Sequence, residues 1–358
     1  MRVFKFLWVG GLSLISLATH AETVDNLYQV REPVSSQAPD ERNQATLRAL
    51  DTLVLRLTGD AKAAQHPGLA KIRKDPQQII LQYGYDAGPP ESLQVDFDPT
   101  STDRALRSAG LSLWGANRPT ILGWWLNESV EGSSLVGDGQ ASATPLRRAA
   151  QHRGLPLQLP LADLSEQIVG TAANLEGSDP APLRDASERY GADALLAVHA
   201  RQDGEQWQAN WRLWLGDERE QGKAKGADPA ALADAVMLAV SQRLAPRFVT
   251  KPGVATEQLL EVQGMNLERY AALGRLLEPF GGQLQRVEAD RVMYRVTGSA
   301  EQLQAQLALA KLQPVPADEP VAAVAPAPAV APAADGSVPV AAAPTPPPPP
   351  PADLRFRW

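Results

Sequence analysis

Cysteine is absent from all 358 residues. That excludes disulfides, thiolate nucleophiles and cysteine metal sites, and also the lipid anchor of a bacterial lipoprotein, which needs a cysteine at its cleavage site. Histidine is scarce: of the 4 present, His66, His152 and His199 fall in the body of the chain, and none stands in an H-E-x-x-H or other metal-ligand spacing. There is no G-x-S-x-G nucleophile elbow and no Walker A sequence. Gly137-Asp138-Gly139 opens like a dinucleotide-binding loop, but Ser142 stands where its last glycine belongs, and no clear strand leads into it. No block of basic residues exists, and 41 Asp+Glu outnumber 34 Lys+Arg, which argues against a nucleic-acid partner. No apolar run reaches bilayer-spanning length. These absences point to a protein with no metal, no cofactor and no recognisable catalytic constellation.

What is present begins with an export signal. Arg2 and Lys5 precede the apolar stretch Phe6 to Leu17, and Ala18-Thr19-His20-Ala21 offers a small-residue cleavage site. Residues 1–21 carry no acid, so cleavage near Ala21 takes the net charge of −7 to −9. The expected location is the periplasm, as a soluble protein that is not a lipoprotein.

The rest is organised around a hairpin over 192–215. Ala194 to Val198 form a short apolar run, Asp203-Gly204 suits a tight turn, and Trp207, Ala209, Trp211, Leu213 and Leu215 alternate on the return strand. Trp214 breaks that alternation, which marks it as an aromatic at a surface or interface. Gly191 closes a helix before the hairpin; Asp228-Pro229 opens one after it, and Pro246 should end that one.

Four regions follow the signal, and the expected fold class is α+β or α/β, with mixed sheets and packed helices in two to three small domains. Residues 22–115 read as β-α-β-β-α. Residues 116–250 hold the hairpin, with TILGWWL (Thr120 to Leu126) as a buried strand and a Gly/Ser-rich loop over 131–143. Residues 255–315 read as β-α-β-β-α-β, the ferredoxin-like order. Residues 316–358 are a tail rich in alanine and proline, ending its low-complexity part in Pro346 to Pro351. Such a tail builds no core, favours polyproline II and is expected to be disordered, with a reach on the order of 100 Å. Its last residues, Asp353 to Trp358, break the pattern: Leu354, Phe356 and Trp358 alternate with Arg355 and Arg357. An alternating strand on a tether suits addition to a partner's sheet edge. The candidate partner-binding residues are therefore Leu354, Phe356, Trp358 and Trp214.

Four segments carry a family resemblance: RALDTLVLRLTGD (Arg48 to Asp60), LWGANRPTILGWW (Leu113 to Trp125), RGLPLQLPLADL (Arg153 to Leu164) and RYGADALLAVHA (Arg189 to Ala200). Together they resemble the family called domain of unknown function 2066, exported proteobacterial proteins without an assigned activity. In architecture, the middle region is similar to the amino-terminal domain of TolB and to envelope lipoproteins that activate peptidoglycan synthases, which are binding modules. The resulting expectation is a non-catalytic scaffold or adaptor for an envelope protein or peptidoglycan-associated partner. Two alternatives stand beside it. One is a glycan-processing enzyme using Asp96 and Asp98 near a tryptophan platform. The other is a solute or peptide binder with a cleft between the first and second domains.

Overall fold

A computed structural model describes residues 26–88, 90–249, 256–288, 290–316 and 352–358. The expected export signal and the Ala/Pro-rich part of the tail lie outside the described residues. Among the described residues the fold is mixed α+β, with three sheets.

The first unit comprises β1 (Gln29–Pro33), α1 (Pro39–Thr58), α2 (Ala70–Lys74), β2 (Ile80–Asp86), β3 (Ser92–Phe97) and α3 (Pro99–Ser108). The sheet is antiparallel in the order β1-β3-β2. Strict alternation sends Leu93, Val95 and Phe97 of the central strand into a core with Leu50, Leu53, Val54 and Leu57 of α1. Helix α1 starts one residue before Asp40. Ala38 is its N-cap and Pro39 its first residue, while Asp40 and Glu41 sit in the first turn, where the helix dipole favours acids. It stops at Gly59, whose φ of 68° is left-handed.

The second unit comprises β4 (Ile121–Ser129), β5 (Gly132–Leu135), α4 (Ala143–Arg153), β6 (Leu157–Gln158), α5 (Leu164–Val169), α6 (Ala172–Glu176), α7 (Ala181–Ser187), β7 (Ala194–Asp203), β8 (Gln206–Leu215), β9 (Glu218–Gly226) and α8 (Pro229–Phe248). The strand order is β5-β4-β7-β8-β9, with β6 beside β4; β4 runs parallel to β6 and β7. Three expectations are corrected here. The turn of the central hairpin falls one residue later, at Gly204 and Glu205, because Asp203 still pairs with Gln206. The stretch assigned to a loop over 131–143 contributes β5, which pairs with the end of β4. Helix α8 runs through Pro246 to Phe248. Pro246 forgoes the N–H bond that position would donate to the carbonyl four residues back, and Phe248 beyond it gains a stack on Trp114 with ring centroids 5.7 Å apart.

Both faces of this sheet are covered near β4 and β7, but by different helices. Trp125, Leu196, Val198, Trp211 and Leu213 pack under α4 and α8. Leu122, Trp124, Leu195, Ala197 and Trp214 pack under α5, α6 and α7. The break in alternation at Trp214 therefore reflects a second core. Trp214 is 4 % exposed and offers no surface.

Two buried guanidinium groups join the first and second units. Arg118 donates to the carbonyls of Arg56 at 2.7 Å, Trp114 at 3.0 Å and Gly154 at 3.1 Å, and lies 4.1 Å over the Trp114 ring. Arg56 donates to the carbonyls of Gln29 at 2.7 Å, Leu27 at 2.8 Å and His152 at 3.2 Å. Burial lowers the pKa of both, and carbonyl dipoles rather than carboxylates surround them. Arginine suits this place because its five donors form a planar fork. A solute cleft at this junction would need the volume these side chains fill.

The third unit comprises β10 (Thr256–Gln263), α9 (Leu267–Leu277), β11 (Gln283–Glu288), β12 (Arg291–Gly298), α10 (Ala300–Leu309), β13 (Gln313–Pro314) and β14 (Leu354–Arg357). Its sheet order is β11-β12-β10-β14-β13. The expected β-α-β-β-α-β order is present, but a ferredoxin-like sheet would place β13 directly beside β10. Here the C-terminal strand is wedged between them.

Candidate functional site

The slot filled by β14 is the most specific arrangement in the molecule. Its strand runs parallel to β10, pairing Leu354 with Leu260, Phe356 with Val262 and Arg357 with Gln263. It runs antiparallel to β13, pairing Phe356 with Pro314 and Arg357 with Gln313. Hydrogen bonds continue past both ends. The Asp353 N–H donates to the Leu259 carbonyl at 2.9 Å, and its carboxylate accepts from the Leu259 N–H at 2.7 Å. Val315 N–H donates to the Arg355 carbonyl at 2.9 Å, and Trp358 N–H to the Gln263 carbonyl at 3.2 Å.

Side chains divide by the period of the strand. Phe356, 2 % exposed, enters a core with Leu260, Val262, Leu273, Val292, Leu303 and Leu307. Leu354 and Trp358 pack at the margin of the same core, and Arg269 lies 5.8 Å from the Trp358 ring centroid. On the opposite face Arg355 lies 3.8 Å from the Glu261 carboxylate. The alternation legible in the sequence is thus used, but the sheet it enters is this chain's own.

A second polar cluster lies where parallel strands β4 and β7 end. His199 is buried. Its Nε2 lies 2.7 Å from Glu128 Oε2 and its Nδ1 2.9 Å from Glu176 Oε1. Asn210 also donates to Glu176, at 2.9 Å. The Asn210 amide and the His199 ring hold the Glu176 carboxyl below its usual range, against the opposing effect of partial burial. Both ring nitrogens already face carboxylates, so neither is presented to a substrate. Sequence reasoning found no metal-ligand spacing at His199 and did not foresee its partners. Glu128 is near in register but distant in sequence, and Glu176 comes from the end of a five-residue helix.

The proposed carboxylate pair separates on inspection. Asp98 caps α3, accepting from the Ser101 N–H at 2.8 Å, and its pKa is lowered by the Ser101 hydroxyl first and by that N–H second. Asp96 lies on the outward face of β3, accepting from Gln82 at 2.7 Å. The tryptophans do not form a platform beside them. Trp124 is buried and donates to Ser187 at 2.9 Å, and Trp125 is buried and donates to Asn127 at 2.9 Å. A cleft of about 600 Å³ lies between the second and third units, lined by Leu215, Phe248, Ala305 and Leu309. Of its charged groups, Lys311 pairs with Asp193 at 3.1 Å and Arg247 with Glu220 at 3.4 Å.

The fold defines a mixed α+β protein of several small units, the last completed by its own distant C-terminal strand. Comparison with known proteins adds a partial family match. Residues 21–115 match the model of a domain of unknown function (DUF8605). This corrects the expected family, domain of unknown function 2066, while agreeing that the activity is unknown. No curated protein matches. Among solved structures, the LpoB C-terminal domain from Salmonella enterica is similar over 30% of this chain and 81% of that one, at 16% identity and a TM-score of 0.20, too low to carry an argument. Among the described residues no helix is long and apolar enough to cross a membrane.

Proposed function

We propose that this chain is a non-catalytic binding module exported to the cell envelope, and that its third unit recognises an extended strand of a protein partner. One observation carries the reading. Asp353 to Trp358 occupy a slot between β10 and β13 after the whole Ala/Pro-rich stretch 316–352, so in chain terms they behave as a ligand on a tether. Strand addition draws affinity from main-chain hydrogen bonds and specificity from pockets for alternate side chains. Both components are present, the first at Leu259, Gln263 and Val315, the second around Phe356. Export is supported by the basic and apolar composition of residues 1–21.

The test uses the full-length chain in cells. A photocrosslinking residue replaces Gln313, which faces β14, in one variant and Lys71, remote from the slot, in another. Each is combined with Phe356→Ala to loosen the resident strand. The expected result is a discrete protein adduct from position 313 alone, suppressed by a peptide of residues 352–358. Equal adducts from both positions, or no competition by the peptide, would sink the reading.

A further inference from the structure

We infer that the exposed face of strands β7, β8 and β9 is a binding surface for an acidic glycan. This goes beyond the strand slot and rests on a different sheet. Helices α5, α6 and α7 cover this face over Trp214, Leu195, Ala197 and His199; beyond them Arg201, Gln221, Lys223 and Lys225 are exposed and Gln208 is half-buried. The register lays out its side chains in rows. Lys225, Gln208 and Arg201 form one row, and Lys223, Asn210 and His199 the next. Gln221, Arg212 and Ala197 form a third, with Arg219 over Trp214 at the covered end. Neighbouring strands are about 4.8 Å apart, so Lys225 and Arg201 stand about 10 Å apart across Gln208.

Several arginines of this chain pair with carboxylates, as Arg31 does with Asp86, Arg73 with Asp51, Arg147 with Asp138 and Arg247 with Glu218. Arg201, Arg212, Arg219, Lys223 and Lys225 have no such pair in a chain of net charge −7. Three carboxylates share the face, and all are engaged. Glu128 and Glu176 hold His199, and Asp203 accepts from Gln208 at 3.2 Å. Arg212 donates one Nη1 bond to the Leu175 carbonyl at 2.9 Å, but its Nε–H is buried without a partner. Burial and then the neighbouring Arg219 cation lower its pKa, and an anion beside the exposed Arg219 would offset that repulsion.

The amides select the kind of anion. Gln208, Asn210 and Gln221 interleave with the cations, and an amide both donates and accepts, which suits hydroxyl groups. Guanidinium and ammonium groups suit carboxylates. A flat surface carrying both fits a hydroxyl-rich polyanion lying across the strands.

The experiment measures binding of hexagalacturonate, a carboxylated oligosaccharide, to the full-length protein by titration calorimetry. Cellohexaose serves as the neutral control and hexaglutamate as the acidic peptide. The expected result is binding of hexagalacturonate that weakens as salt rises, with at least tenfold weaker binding of the other two. Lys223→Glu combined with Lys225→Glu should lower hexagalacturonate affinity at least tenfold at an unchanged melting temperature. Lys71→Glu with Lys74→Glu, on α2, should leave it unchanged. Because β9 is an edge strand, its lysines also suit protection against sheet pairing. Self-association of the β9 variant without loss of hexagalacturonate binding would overturn the proposal, as would equal binding of hexaglutamate, no binding at all, or an equal loss from the α2 variant.

Discussion

At the residue scale the chain spends its charge on joining units. Glu32 reaches from β1 to accept from Thr52 at 2.6 Å and lies 3.2 Å from His152 Nε2, so one carboxylate links the first and second units. Burial alone would raise its pKa, but hydrogen bonds from His152 and Thr52 outweigh that and hold it below the ordinary 4.5. A folded-state pKa below the unfolded one gives stability that is present above the ordinary value and is lost as pH falls through the lower, folded value. Urea midpoints should therefore drop on acidification below about pH 4.5, and Glu32→Gln should flatten that part of the profile. A profile unchanged by the substitution would mean that the link carries no net stabilisation.

At the element scale β14 is the test case. Its pairing partner β10 begins nearly a hundred positions earlier, and Phe356 is the side chain that commits it to the core. Phe356→Ala should destabilise the third unit by about 3–5 kcal/mol, the usual range for emptying a buried aromatic site. Hydrogen exchange reads this directly: amides of Leu260 to Gln263 should lose protection while those of β7 and β8 keep theirs. Equal protection in both variants would show β14 to be a passive guest. The element scale is also where the sequence was most misleading about Trp214. Period-two alternation describes a sheet with one buried face, and β8 is buried on both faces at that end.

At the scale of the whole molecule the units interlock at single backbone points. Gly59 ends α1 with a left-handed φ of 68°, and a Cβ placed there would lie 2.0 Å from the Cβ of Ala245 in α8. Gly59→Ala should thus cost about 2–4 kcal/mol, combining left-handed strain with overpacking. Ala245→Gly in the same chain should recover part of the loss. Full additivity of the two changes, seen in calorimetric melting, would mean that α1 and α8 do not press on each other there.

Much of this architecture could be read from the chain itself, because it follows from local chemistry. Alternation announced the β7–β8 hairpin, Asp228-Pro229 announced α8, and Gly191 announced the end of the helix before the hairpin. The alternating pattern at Leu354, Phe356 and Trp358 announced a strand. What only the tertiary structure decided were matters of partnership between distant residues. No local signal tells which sheet edge an amphipathic strand will join, so its place between β10 and β13 was not legible. Nor does spacing reveal that Glu128 and Glu176 would close on His199, or that Asp98 would be used as a helix cap. Periodicity reports how one segment meets water; which groups share a site is set by the packing of whole elements, which depends on contacts far apart along the chain.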